Sequence, residues 1–166
     1  MIGMNPFTPV LSGTIAGFDF NPTVDRIRIV TSSGQNLRVN PETGGVAGND
    51  TPVNGQAGAM ISAVAYSNNN AGQTTTTLYD VDPISDKLFR QDPPNAGTLV
   101  LIGSLQENVD SSNGFDIGGT SGNAYALFMK GNNTRIYRIN TATGKASNDG
   151  SLGHVTITGF TIGLGF

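Results

Sequence analysis

The chain has 166 residues, of which 37% are hydrophobic and only 13% charged, with 23 glycines and no cysteine. Charge falls below the usual quarter of a globular domain, and the Gly, Thr and Asn that replace it favour turns and strand edges over helices. A net charge of −3 without a basic cluster excludes a nucleic-acid partner, and the absence of cysteine excludes a disulfide framework or a thiolate metal site. The length suits a single domain.

Met1–Pro6 has neither the basic start nor the apolar core of a signal peptide, and no run approaches the ~18 apolar residues of a membrane helix. Phe7–Ala16 runs into Gly17-Phe18-Asp19-Phe20, a tetrapeptide that returns as Gly114-Phe115-Asp116-Ile117 and Gly159-Phe160-Thr161-Ile162. Ala63-Val64-Ala65-Tyr66 is a worn fourth copy. Copies about 45 to 50 residues apart match the period of propeller blades.

Asp25–Val30 alternates polar and apolar residues as a half-buried strand does, and Ser33–Asn36 turns it into Leu37-Arg38-Val39. Ala124–Met129, the turn Lys130–Asn133 and Arg135–Ile139 repeat that hairpin. The middle repeat carries a longer polar loop, Ser67–Gln73, before Thr74–Tyr79. Residues 48–60 are rich in Gly, Asn and Pro and read as an irregular connection. A second landmark is the turn 136–145, Ile-Tyr-Arg-Ile-Asn-Thr-Ala-Thr-Gly-Lys, with copies at 37–45 and 79–88. No segment shows sustained helical periodicity. The expected fold is all-β: antiparallel propeller-like repeats at 15–50, 61–105 and 113–150, with a closing strand over 155–166.

Two phrases carry a family resemblance. One is Gly17-Phe18-Asp19-Phe20-Asn21-Pro22-Thr23-Val24-Asp25-Arg26-Ile27-Arg28 followed by Gln35–Pro41. The other is Thr74–Asp82 with Gln91–Leu99. Over residues 8–162 the chain resembles the bacterial repeat proteins grouped as domain of unknown function 4394. The resemblance implies a β-propeller-like fold and export from the cell, with the signal outside this chain; it carries no catalytic residues. Against the family pattern the N-terminal repeats are missing. Three repeats and two stubs would leave the ring open, or completed by oligomerisation, since propellers typically have four to eight blades.

Candidate chemistry is sparse. Asp80, Asp82 and Asp86 have a D-x-D-x-x-x-D spacing that would suit Ca²⁺, the one cofactor these residues could serve. Asp82 and Asp86, however, align with Asn40/Asn140 and Gly44/Gly144, where turn chemistry accounts for them. Asp19 and Asp116 recur at one strand position, either as binding residues or as ties to a neighbouring backbone amide. Arg26, Arg28 and Arg38 share the polar face of one hairpin, as a solvated face or a grip on an acidic polysaccharide. His154 is the only histidine, and no nucleophile, phosphate-loop or zinc-protease motif is present.

Phe160, Ile162, Leu164 and Phe166 alternate with small residues as a strand for self-association, either with another copy or with the segment Val10–Ile15. The same alternation resembles the last strand of an outer-membrane barrel, but the remaining strands lack the aromatic girdles. The expected function is a non-catalytic extracellular scaffold that assembles with itself. The alternatives are a carbohydrate-binding propeller using loops 48–60 and 67–77, and an enzyme acting on polysaccharide.

Overall fold

The computed structural model describes residues 7–48 and 50–163. Among these, eleven strands form three antiparallel sheets. Sheet I contains β1 (Ala16–Asn21), β2 (Arg26–Thr31) and β3 (Asn36–Val39). Its edge is extended by a bridge between Val39 and Val46. Sheet II contains β4 (Ala63–Tyr66), β5 (Leu78–Asp82), β6 (Lys87–Gln91) and β7 (Leu99–Ser104). Sheet III contains β8 (Ser111–Ile117), β9 (Ala124–Lys130), β10 (Asn133–Ile139) and β11 (Ala146–Gly153). Each sheet is a meander in chain order, and none closes into a barrel. The only helical element is a 3₁₀ turn at Pro94–Ala96, and no helix among the described residues could cross a membrane.

The sheets stack face to face and meet through their first strands, β1 on β4 and β4 on β8. Strand alternation sends one set of side chains forward, toward the next sheet, and the other backward. Gly17 and Asp19 of β1 point forward, as do Arg28 and Val30 opposite them on β2. Val64 and Tyr66 point backward to meet them, in a core shared with Val30, Leu78 and Phe89. Ala63 and Ala65 point forward, into a larger core with Phe115, Ile117, Phe128 and Tyr137. The worn copy Ala63–Tyr66 is thus a full structural repeat, with alanine at both the Gly and the Asp position.

The recurrent turn is confirmed in its chemistry and corrected in its place. Asn40 Oδ1 accepts from Glu42 and Thr43 N–H at 2.8 and 3.2 Å. Asn140 Oδ1 does the same with Ala142 and Thr143, at 3.0 and 3.1 Å, and Asp82 Oδ1 with Ile84 and Ser85, at 2.9 and 3.3 Å. Four residues after each anchor the backbone is left-handed, at φ 71° for Gly44, 83° for Gly144 and 53° for Asp86. A fourth copy, missed in the sequence, anchors on Asn21 and ends on Asp25 at φ 40°. The copies do not occupy one place in the repeat. Turns 40–44 and 140–144 follow the third strand of their sheets, 82–86 the second, and 21–25 the first. An Asx turn satisfies only its local backbone, so it serves any hairpin.

Candidate functional site

The predicted cation site is not assembled. Asp80 and Asp82 share a face of β5, but Asp82 Oδ2 accepts from Ser85 Oγ at 2.8 Å and Met60 N–H at 3.2 Å. Asp86 turns elsewhere, accepting from Val109 N–H at 3.1 Å. Among the described residues no three acidic, His or Cys side chains converge on a point. Asp82 is spent on its own turn, as the turn reading requires, while the Asp86 side chain holds the distant Val109 amide.

Asp19 and Asp116 bind the backbone of the next first strand. Asp19 Oδ2 accepts from Tyr66 N–H at 2.6 Å while Oδ1 takes Phe20 N–H at 2.7 Å. Asp116 Oδ2 accepts from Ile162 N–H at 2.6 Å and Thr161 Oγ1 at 3.0 Å, while Oδ1 takes Ile117 N–H at 2.7 Å. Two residues earlier in each copy a glycine allows the approach. A Cβ on Gly17 would lie 2.6 Å from Val64 N, and one on Gly114 would lie 2.5 Å from Phe160 Cβ. Glycine and aspartate therefore form one device: the first lets the neighbouring backbone in, and the second holds its amide. Burial pushes the Asp19 carboxyl up to about 7, against the lowering effect of the Tyr66 amide. Asp116→Ala is expected to release residues 155–163, seen as fast amide exchange at Ile162 with the sheet III ladder still protected. Unchanged protection of Ile162 would show that the carboxylate is not what holds it.

The three arginines share a face as expected, but that face is not solvated. It packs against sheet II. Arg28 is 1% exposed; its Nη1 donates to Asp50 Oδ2 at 2.6 Å and Asn36 Oδ1 at 2.8 Å. Its Nη2 reaches Asn95 Oδ1 at 2.7 Å, and Nε reaches the Tyr66 phenol at 3.2 Å. Arg38 forks onto the same carboxylate, with Nε to Oδ2 at 2.8 Å and Nη2 to Oδ1 at 2.7 Å. Arg26 only contacts the Asp25 carbonyl, at 2.7 Å. Arg28 is buried and the fork of Arg38 is taken up by Asp50, so neither presents a free bidentate grip to an acidic polysaccharide. Asp50 gave no signal in the sequence, because it lies in the patternless stretch 48–60.

That stretch is a brace between sheets I and II. Thr51 N–H bonds the Asn95 carbonyl at 3.0 Å, Val53 N–H the Gly34 carbonyl at 2.9 Å, and Asn54 bridges Thr98. Beside it, Asp80 is wholly buried on the face of β5 that looks toward Arg28, and neither carboxylate oxygen has a partner among the described residues. Burial raises its carboxyl to about 8, offset only in part by the charge of Arg28.

A cavity of about 510 Å³ opens where the first strands begin, lined by Thr14–Phe18, Ser62–Val64, Ser111–Phe115 and Thr156–Phe160. It contains no charged side chain. Ser112, one of its walls, is 4% exposed, and its hydroxyl has no partner among the described residues. Loops 48–60 and 67–77 contribute nothing to this cavity. Loop 67–77 is instead tied to sheet III through Asn70, which donates to the Gly119 carbonyl.

Of the proposed self-association strand, Phe160 and Ile162 lie against β8 without forming a strand; Leu164 and Phe166 fall outside the described residues. Its described part, up to Gly163, does not pair with Val10–Ile15. That segment is held by the β2–β3 hairpin, with Ser32 N–H on the Ile15 carbonyl at 2.9 Å and Gln35 Nε2 on the Val10 carbonyl at 3.1 Å.

One family model covers nearly the whole chain. The model described as domain of unknown function (DUF4394) matches residues 2–161. The chain is a member of the DUF4394 family. Among curated proteins, no match to this DUF4394 chain is found.

Proposed function

We propose that this DUF4394 chain is a non-catalytic, extracellular scaffold module that assembles with itself, its sheets being the blades of an open β-propeller. One observation carries the reading. The backward face of sheet II is covered by sheet I, and that of sheet III by sheet II. Among the described residues no strand covers the backward face of sheet I: Phe18 is 56% exposed and Phe20 45%, stacked edge to face 5.9 Å apart. Clustered exposed aromatics of this kind mark interaction sites. Catalysis has little support. Asp19 and Asp116 are each committed to two backbone amides, and Asp50 to two arginines.

Phe18→Ser with Phe20→Ser is expected to lower the solution mass measured by light scattering to that of one chain, with the circular dichroism spectrum unchanged. A double variant that stays associated would remove this face from the assembly.

A second reading rests on the cavity beside the first strands. A volume near 510 Å³, within the ~300–1,000 Å³ of ligand pockets, with hydroxyls, aromatic rings and no charge, fits a neutral saccharide. The buried Ser112 hydroxyl would be its polar anchor. Binding to a panel of neutral glycans that Ser112→Val abolishes would support it, and a panel without hits would dismiss it.

A further inference from the structure

We propose that the second copy docks head to tail, its Phe18/Phe20 face seated on the Gly159–Thr161 segment of the first. This rests on the self-assembly reading above and specifies its geometry.

The joints within the chain supply the rule. In two of the three, an apolar residue of the incoming first strand sits over a forward glycine, and the next-but-one residue presents its amide to an aspartate. Val64 sits over Gly17 and Tyr66 donates to Asp19; Phe160 sits over Gly114 and Ile162 donates to Asp116. The alanine version of the joint brings Ala63 and Ala65 together with Phe115 and Ile117. One glycine of the series remains open. A Cβ on Gly159 would meet nothing within 4 Å. One apolar pair of the series likewise has no seat, Phe18 and Phe20. The same offset places Phe18 of one copy over Gly159 of another, and Phe20 over Thr161.

The alternative of two Phe18/Phe20 faces meeting each other brings two bulky aromatic surfaces together without the recess that the two glycine joints use. A head-to-tail contact is heterologous, so repetition closes a ring or grows a filament. Thr161 stands where two of the other copies have Asp19 and Asp116, and its hydroxyl already donates to Asp116 at 3.0 Å. The joint between chains therefore lacks the carboxylate tie, as the alanine joint does, and unlike that joint it has no covalent connection to keep its two sides together, which makes it reversible.

The chain has no cysteine, so single thiols report the contact without background. Ala16→Cys puts one at the exposed edge of the Phe18 face, and Thr158→Cys puts one on the exposed residue beside the open glycine, which stays free to receive Phe18. Each variant is first checked by sedimentation for association, then treated with a short bis-maleimide alone and as a mixture. The proposal expects a covalent dimer in the mixture that is absent from either variant alone. A dimer from Ala16→Cys alone, or associated protein that does not cross-link in the mixture, would overturn the head-to-tail geometry while leaving self-assembly standing. A wild-type chain that sediments as a monomer at the same concentration would overturn both.

Discussion

Asp50→Ala is expected to destabilise the fold by about 3–5 kcal/mol, the usual cost of removing one partner from a buried ion pair. The carboxylate is shared by Arg28 at 2.6 Å and Arg38 at 2.7 Å. Arg28 cannot turn to water, because it is enclosed by β2, the 50–55 brace and the Asn95 loop. Its guanidinium would be left beside amide oxygens and a phenol, none of them charged. A domain of this kind has only about 5–15 kcal/mol of total stability, so the loss would show as a large fall in the urea midpoint. Combining Asp50→Ala with Arg28→Met removes the stranded charge as well and should recover much of the loss, as apolar replacement of buried ion pairs often does. If Asp50→Ala shifted stability by less than about 1 kcal/mol, the level of an exposed pair, the network would not be holding sheets I and II together.

The second large effect concerns pH. Asp80 has an ordinary value of 3.8 in the unfolded chain and about 8 when buried, so the folded state holds its proton more tightly. Its full contribution to stability is present below pH 4. It is lost progressively as pH rises toward 8, because the folded state binds more protons across that window. Asp19, raised to about 7, adds a decline of the same sign over the lower part of the range. Asp80→Asn keeps the size of the side chain and cannot ionise. The variant is expected to match the parent near pH 4 and to exceed it increasingly up to pH 8, read as the difference between paired urea titrations. The difference cancels acid effects at other carboxylates. A constant offset at all pH values would show that Asp80 does not change protonation on burial.

Much of the architecture was legible in the sequence because it repeats. Gly17-Phe18-Asp19 and Gly114-Phe115-Asp116 mark first strands, and their shared pairing of glycine with aspartate has one mechanical cause at both joints. The Asx turns were legible for the same reason. Their equivalence was not, since a turn that satisfies its own backbone does not record which strands it joins. The middle sheet illustrates this: Asp82–Asp86 copies the chemistry of 40–44 at a different level of the meander. The arginine face was placed correctly on one hairpin but misread as solvated. Alternation tells which residues share a face and leaves open what covers it. What covers it is sheet II together with Asp50, from a stretch without periodicity or propensity. Asp80 looked like a metal ligand by spacing, and only the stacking of sheets reveals it as a buried carboxyl without a partner. The cavity, built from the starts of several strands, has no contiguous signature at all.

Self-assembly requires the open face of sheet I to be covered by another copy of the chain. Sedimentation velocity on the unmodified chain over a wide dilution series tests this most directly. The expected result is a species heavier than 17.2 kDa that dissociates on dilution, as suits a joint without its carboxylate tie. A single species of 17.2 kDa at every concentration would contradict it.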